Sequence, residues 1–310
     1  MRVIAGLSML FMLGTFAPAS LFRPHPVPHS PWVRFAPLSA EAFAGCRMNG
    51  VGVEAGWVLT SNHPRFGGLS GLHVERGGAI AISDGGEALA FPLAQQGRVP
   101  LTLHALDDLN GPKKLRDSES LTIAGKVAWV GFEHDNRIGR YRLPDWSPNG
   151  EVRPAEMRDW PRKQGPEAMV RLTDGRFLLL PEGKRNALLF SHDPVGRGTA
   201  TRLHYRAPQG FKPVDVAELG DGRLLIVNRR YTILEGPAGF SAALGIATLP
   251  GPGGKIESRE VARFAAPCIH DNFEAVSVTH DNGRETIWLA SDDNFGPLQR
   301  TLLLKLKLQP

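Results

Sequence analysis

Pro166-Glu167-Ala168-Met169-Val170, Val214-Asp215-Val216-Ala217 and Phe273-Glu274-Ala275-Val276 are short apolar runs with an acid near the start, and an earlier run reads Ser118-Glu119-Ser120-Leu121. Glu119, Glu167 and Asp215 are spaced by 48 residues, and the next interval, to Glu274, is 59. Counting 48 residues back from Glu119 reaches Gly71 in Leu69-Ser70-Gly71-Leu72, a matching run without the acid. After each later run comes Asp174-Gly175, Asp221-Gly222 or Asn282-Gly283, pairs that tolerate the positive φ of two-residue hairpins. A second strand follows, Phe177-Leu178-Leu179-Leu180, Leu224-Leu225-Ile226-Val227 or Ile287-Trp288-Leu289-Ala290, and its end is polar or charged. A hairpin with at least one further strand, such as Ala187-Leu188-Leu189-Phe190, is a propeller blade, whose apolar face is buried only when blades stack around an axis.

The expected fold is therefore all-β, a single β-propeller. With the folded part taken as residues 35–310, a unit of 48 predicts six blades. Residues 35–59 would supply strands left over, and Leu302-Leu303-Leu304-Lys305-Leu306-Lys307-Leu308 a last strand with its lysines outward. A β-sandwich offers no reason for such a period. Composition agrees: among 310 residues, 35 Gly and 25 Pro are too much turn chemistry for a helical bundle, and 42% hydrophobic residues suffice for a core. The net charge of +5 comes without a basic run that could track a nucleic-acid backbone. No C-x-x-C, Walker or dinucleotide glycine motif is present, which disfavours redox and nucleotide-cofactor chemistry.

Residues 1–19 read as a cleaved export signal: Arg2, an apolar stretch from Val3 to Phe16, then Ala17-Pro18-Ala19 as a small-x-small cleavage site. This predicts a periplasmic or secreted protein. An uncleaved membrane anchor is the alternative, against which the apolar run falls short of the ~20 residues needed to span. Residues 20–34 are proline-rich and read as an extended arm outside the folded core. Cys46 and Cys268 are the two cysteines. Export would let them pair, two separate buried thiols being the other outcome, and both stay open at this level.

The first strand of a propeller blade lines the channel, so Glu119, Glu167, Asp215 and Glu274 are expected to form a ring. Carboxylates brought together take up protons or hold a cation, and oxygen-only donors suit Ca²⁺ or Mg²⁺. The competing reading has each acid bond a neighbouring backbone or arginine and space the blades. A second layer at the ends of the second strands contains Asp84, Glu133 with His134, Glu182, and Asp292-Asp293-Asn294, trailed by Arg137, Arg140, Arg185, Arg229, Arg230 and Arg300. Both signs of charge around one pore suit a phosphate ester with a divalent ion, although blade-locking ion pairs would use the same residues. Ser70 does not sit in a G-x-S-x-G elbow. His63, His134 and His270 lie near strand ends as candidate acids or bases, and His25 and His29 lie in the non-helical arm, a poor metal site.

Asn272-Phe273-Glu274-Ala275-Val276, Ser291-Asp292-Asp293-Asn294-Phe295 and Gln299-Arg300-Thr301-Leu302-Leu303 resemble the bacterial phytase-like family described by an esterase-like activity of phytase. The likeness extends to Leu69-Ser70-Gly71-Leu72 with Ser83-Asp84, to Asp117-Ser118-Glu119 with Glu133, and to Glu167 with Glu182, spanning residues 65–308. It implies a propeller-like β fold whose acids serve a phosphodiesterase or phosphoesterase activity. This chain departs from the pattern at Gly85-Gly86, where relatives often carry Arg-Gly. The resulting expectation is an exported, monomeric hydrolase of a small phosphate ester or other anionic ligand, with no nucleic acid and no membrane span after processing. Glu119, Glu167, Glu274 and Asp292 would be catalytic, and Glu119, Glu167, Asp215 and Glu274 would hold Ca²⁺ or Mg²⁺. Arg137, Arg185, Arg230, Arg300 and His134 would bind substrate, Arg185 and Arg300 stabilising charge on its phosphoryl oxygens. Two rival readings stand beside it: a non-catalytic periplasmic propeller that binds an anionic glycan or a protein, and a Ca²⁺-dependent hydrolase of carboxylic esters or lactones.

Overall fold

The computed structural model describes residues 27–107, 112–161, 163–183, 186–233, 239–281 and 283–309, so the expected signal and most of the arm lie outside the described residues. Its strands form five sheets arranged as five propeller blades, not six. The innermost strands are Leu69–Glu75, Ser118–Ala124, Pro166–Arg171, Lys212–Glu218 and Phe273–Asp281, one each for blades 1 to 5. These are the runs that reveal the repeat. Dividing length by period fails because the N-terminal strands build no blade of their own. Val51–Ser61 pairs antiparallel with Leu302–Leu308 and becomes the fourth strand of blade 5, while Trp32–Pro37 and Gly97–Pro100 extend that sheet. Arg47–Met48 is added to the outer edge of blade 4. The arm therefore reaches the fold sooner than expected: Trp32 already pairs in the sheet, and Val33 and Phe35 are buried.

Alternation along each strand buries one residue in two against the next blade, and the result is five apolar cores, one per blade junction. Side chains on the inner strands also bridge the junctions to backbone groups. Ser70 donates to the Ser118 carbonyl at 2.5 Å and Ser120 to the Pro166 carbonyl at 2.6 Å. Glu218 accepts from Thr173 N at 2.6 Å, and Ser277 accepts from Val74 N at 2.9 Å. Ser70 is thus occupied in blade stacking and has no nucleophilic geometry. At Gly71 any Cβ would lie 2.8 Å from Leu121 Cβ, so close approach of blade 2 explains why that unit has no side chain there. Cys46 and Cys268 form a disulfide, with their Cα atoms 4.8 Å apart. Among the described residues no helix is long and apolar enough to cross a membrane.

Candidate functional site

Every blade carries a β-bulge where its innermost strand meets the second, and the extra residues are Ser70, Glu119, Glu167, Val214 and Glu274. A bulge leaves one residue unpaired and re-aims its side chain. In blades 1, 2, 3 and 5 the second strand ends opposite it and the next residue is Asp84, Glu133, Glu182 or Asp292, while in blade 4 the strand runs on to Tyr231 and the equivalent residue, Arg229, pairs with Lys212. Blades 2, 3 and 5 thus contribute two acids each, blade 1 contributes Asp84, and blade 4 contributes Lys212 and Arg229 around the apolar Val214. The outcome is one mouth of the channel with acid on four sides and cation on the fifth.

Two residues beyond the bulge, Leu72, Leu121, Met169, Val216 and Val276 are buried, each in a different inter-blade core. This apolar collar underlies the acids and forms part of the wall of a cavity of about 1230 Å³ that opens on the hairpin side of the ring. That cavity therefore lies at the opposite mouth, lined by groups such as Arg171, Glu218, Arg223 and Glu285.

Burial, then the neighbouring Glu167, Asp117 and Glu133 carboxylates, hold Glu119 well above the usual carboxylate range. Burial, then Glu182 and Glu133, do the same to Glu167. Glu133, which shares a side-chain hydrogen bond with Glu167, is pushed up from the ordinary 4.5 to about 7, chiefly by burial and Asp117. Asp292 is pushed up from 3.8 to about 7 by burial and by Asp84. His134 Nδ1 lies 3.0 Å from Asp117 Oδ2 and 3.3 Å from Glu133 Oε2, without alignment for a hydrogen bond. Lys113 Nζ contacts Asp84 Oδ2 at 2.6 Å, and Lys212 Nζ contacts Glu182 Oε2 at 3.2 Å. Arg229 joins Glu274 to Glu182 (3.1 Å) and donates to Asn272 Oδ1 at 3.0 Å. Asn272 in turn donates to Glu274 at 2.9 Å and to Asp292 at 3.2 Å. The described mouth holds the carboxylates Asp84, Asp117, Glu119, Glu133, Glu167, Glu182, Glu274 and Asp292, with Lys113, Lys212 and Arg229 ion-paired to them and Lys163 close enough to act on Glu133.

The profile of the Phytase-like family, "Esterase-like activity of phytase", matches residues 64–295. The chain belongs to this family. The matched segment contains all five bulges and every acid of the mouth. No curated protein matches the sequence. Among solved structures, the glutaminyl cyclase of Myxococcus xanthus is similar at 11% identity and a TM-score of 0.50, over 85% of this chain and 100% of that one. Regucalcin, a calcium-binding protein of Agrobacterium tumefaciens, is similar at 11% identity and a TM-score of 0.43, over 78% of this chain and 90% of that one. The cyclase shares the fold and, at this identity, nothing further is drawn from it.

In this phytase-like chain Glu119, Glu167, Glu274, Asp292 and His134 come together as the spacing suggests. Asp215 does not join them. It follows the bulge by one residue and pairs with Val227 in the sheet, so its carboxylate points into the junction with blade 5, accepting from Val276 N at 2.6 Å and Val216 N at 2.8 Å. A one-residue slip sends a strand side chain to the other face. Asp215→Ala is expected to cost about 1 to 3 kcal/mol of stability through the orphaned Val276 N–H, measured by denaturant melting, with divalent-ion affinity unchanged.

The arginines need the same correction. Arg137 is buried, stacked 3.8 Å from the Phe132 ring centroid and bonded to Asp107, Glu151 and the Leu115 carbonyl, which makes it a structural node rather than a substrate donor. Arg230 lies over Phe211 and bonds Ser241, while its neighbour Arg229 faces the acids. Arg300 ties Asp271 and the His270 carbonyl at the rim. Arg185 lies outside the described residues. His63 and His270 turn to backbone groups, Arg65 N and the Cys268 carbonyl. Beside Gly85, where the family pattern has arginine, Arg116 supplies a guanidinium 2.5 Å from the Gly85 carbonyl oxygen. Lys113, Asp117 and Lys212 are site residues that the repeat does not mark. Asp117 and Lys212 hold the same place, two residues before the bulge, and this register becomes visible only once the bulges are located.

Proposed function

We propose that the acidic mouth is a hydrolytic centre for a small anionic ester, a phosphate ester above all, working with a divalent cation. The observation that carries this reading is the crowding of buried carboxylates above an apolar collar, with Lys113 beside Asp84 and with Lys212 and Arg229 on blade 4. Carboxylates at such density retain protons or hold metal. The donor set fits a divalent ion: Asp117, Glu133 and His134 offer ligand atoms within 4.8 Å of one another, and a buried oxygen of Asp84 lacks a hydrogen-bond partner. Asp117, Glu133 and His134, with Glu119 and Glu167, would hold the ion, and the preponderance of oxygens favours Ca²⁺ or Mg²⁺. When bound, such an ion polarises a phosphoryl oxygen and makes water more acidic.

The rest falls to the chain's own groups. Glu133, at about 7 and bonded to Glu167 in the ion-free mouth, holds a proton near neutral pH that binding of the ion would release. Lys113, Lys212 and Arg229 orient the anionic head of the substrate, and Arg229 is itself held by Glu182 and Glu274. In this reading the chain acts as a monomer outside the cytoplasm after loss of residues 1–19, a setting in which the Cys46–Cys268 disulfide persists.

The test is a melting series on chelated protein with CaCl₂ or MgCl₂ added back, alongside turnover of phosphate mono- and diesters. The sign is set by Glu133 and Asp292, whose raised values favour the protonated fold. Their contribution is present below the ordinary 4.5 and 3.8 and is lost as pH rises through about 7. Chelated protein is therefore expected to melt lower near pH 8 than near pH 5, and added ion to restore more at the higher pH. No melting shift with either ion, together with no ester turnover, would remove the proposal.

A further inference from the structure

Phe295 is a large apolar side chain left 46% exposed at the rim of the acidic mouth. Single exposed apolar residues are ordinary on protein surfaces, but this one is held in place by an unusual local arrangement. Asn294 and Phe295 both adopt φ of +48°, a left-handed conformation that a bulky residue rarely takes unless its surroundings impose it. Asp292 Oδ1 accepts from Asn294 N at 2.6 Å, and Asp293 Oδ1 accepts from Phe295 N at 3.1 Å and from Gly68 N of blade 1 at 2.9 Å. Asp293 Oδ2 is fixed by the Thr301 hydroxyl at 2.9 Å. One of these braces, Asp292, is itself a member of the acidic layer.

The ring is set against the charged basin. A Cβ added at Gly68 would run into Asp84 Oδ1 and lie 2.5 Å from Phe295 Cε2, and one at Gly85 would lie 3.6 Å from Phe295 Cζ. Ring edge and carboxylate thus flank one glycine. On the other oxygen of Asp84 sits Lys113 Nζ, at 2.6 Å. An apolar ring on one side of the Asp84 carboxylate and an ammonium on the other suit a ligand that carries a flat apolar group next to an anionic head.

We infer that Phe295 is a specificity-determining platform and that the substrate is an ester whose alcohol part is aromatic or otherwise flat and apolar. This rests on the reading of the mouth as a phosphate-ester site. Benzyl phosphate and methyl phosphate test it, because their leaving alcohols are of similar acidity and the ratio of kcat/KM reports the ring contact. The full chain is expected to favour benzyl phosphate by roughly tenfold, the value of one well-placed apolar or aromatic contact. Phe295→Gly, which suits the positive φ and so keeps the fold, is expected to bring the ratio near unity, while Phe295→Tyr keeps it. Equal rates on the two esters in the native chain, or a preference that survives Phe295→Gly, would overturn the inference. Calorimetry with benzylphosphonate and methylphosphonate separates the two levels of the argument. Preferential benzylphosphonate binding that Phe295→Gly abolishes, with no turnover of either ester, retains the platform and discards hydrolysis. Absence of any preference between the phosphonates discards the platform.

Discussion

Glu167→Gln is expected to abolish divalent-dependent hydrolysis while raising the melting temperature of the chelated protein. Glu167 is buried and held well above the usual carboxylate range by burial and by Glu182 and Glu133. At neutral pH the metal-free fold must therefore hold on Glu167 a proton that the unfolded chain gives up, and an isosteric amide removes that cost while still able to bond Glu133. Removing such a protonation cost gains roughly 1 to 3 kcal/mol, or about 2 to 4 °C per kcal/mol for a chain of this size. Activity should move the other way, by about 100-fold or more in kcat/KM, the loss typical when a group that positions or stabilises charge at a reacting centre is removed. The two readouts together distinguish the competing assignments. If the acids only space the blades, Glu167→Gln lowers the melting temperature and leaves any activity intact, whereas Glu119→Gln should reproduce the Glu167→Gln pattern if both acids serve the centre.

The repeat was legible because a propeller blade writes itself into sequence as a hairpin grammar: an apolar run, a glycine turn, a second apolar run, a polar end. Gly71, Glu119, Glu167, Asp215 and Glu274 mark five inner strands, and the intervals alone would have given the correct blade number. The estimate of six came from length, and length misleads because residues 32–61 close blade 5 and edge blade 4 instead of forming a unit. The register within each strand was harder to read. Ser70, Glu119, Glu167, Val214 and Glu274 are the true equivalents, so an exact period of 48 residues placed blade 1 and blade 4 one position off. The same slip exchanged Arg229 for Arg230 as the residue facing the acids. A bulge shifts a side chain from one face to another without altering the hydrophobic pattern by which strands are recognised. Lys113 and Lys212 were illegible for a different reason: their role follows from what blades 1 and 3 place beside them, and no local motif records that.

Removing the disulfide, by Cys46→Ser with Cys268→Ser or by reduction, is expected to destabilise the fold more than any single change at the mouth. The bond joins residues 222 apart in sequence, and the chain-entropy account assigns closure of so long a loop on the order of 5 kcal/mol, with about 2 to 5 kcal/mol usual when a native bridge is lost. Its place in the ring gives the number a structural meaning. Cys46 lies between the turn Ala40–Phe43 and the strand Arg47–Met48 that edges blade 4, and Cys268 lies just before the inner strand of blade 5. Ile269 N donates to the Ala42 carbonyl at 2.8 Å beside it. The bridge therefore pins the N-terminal segment at the junction where Val51–Ser61 closes blade 5. It also pins the start of the segment that carries Asn272 and Glu274 into the acidic mouth. Denaturant midpoints with and without reductant should differ by the stability so lost, and KM for an anionic ester should rise in the same variants because Glu274 and its partner Arg229 lose a fixed support. Equal midpoints under both conditions would mean that pairing of Val51–Ser61 with Leu302–Leu308 closes the ring unaided, and the case for an oxidising compartment would lose its structural motive.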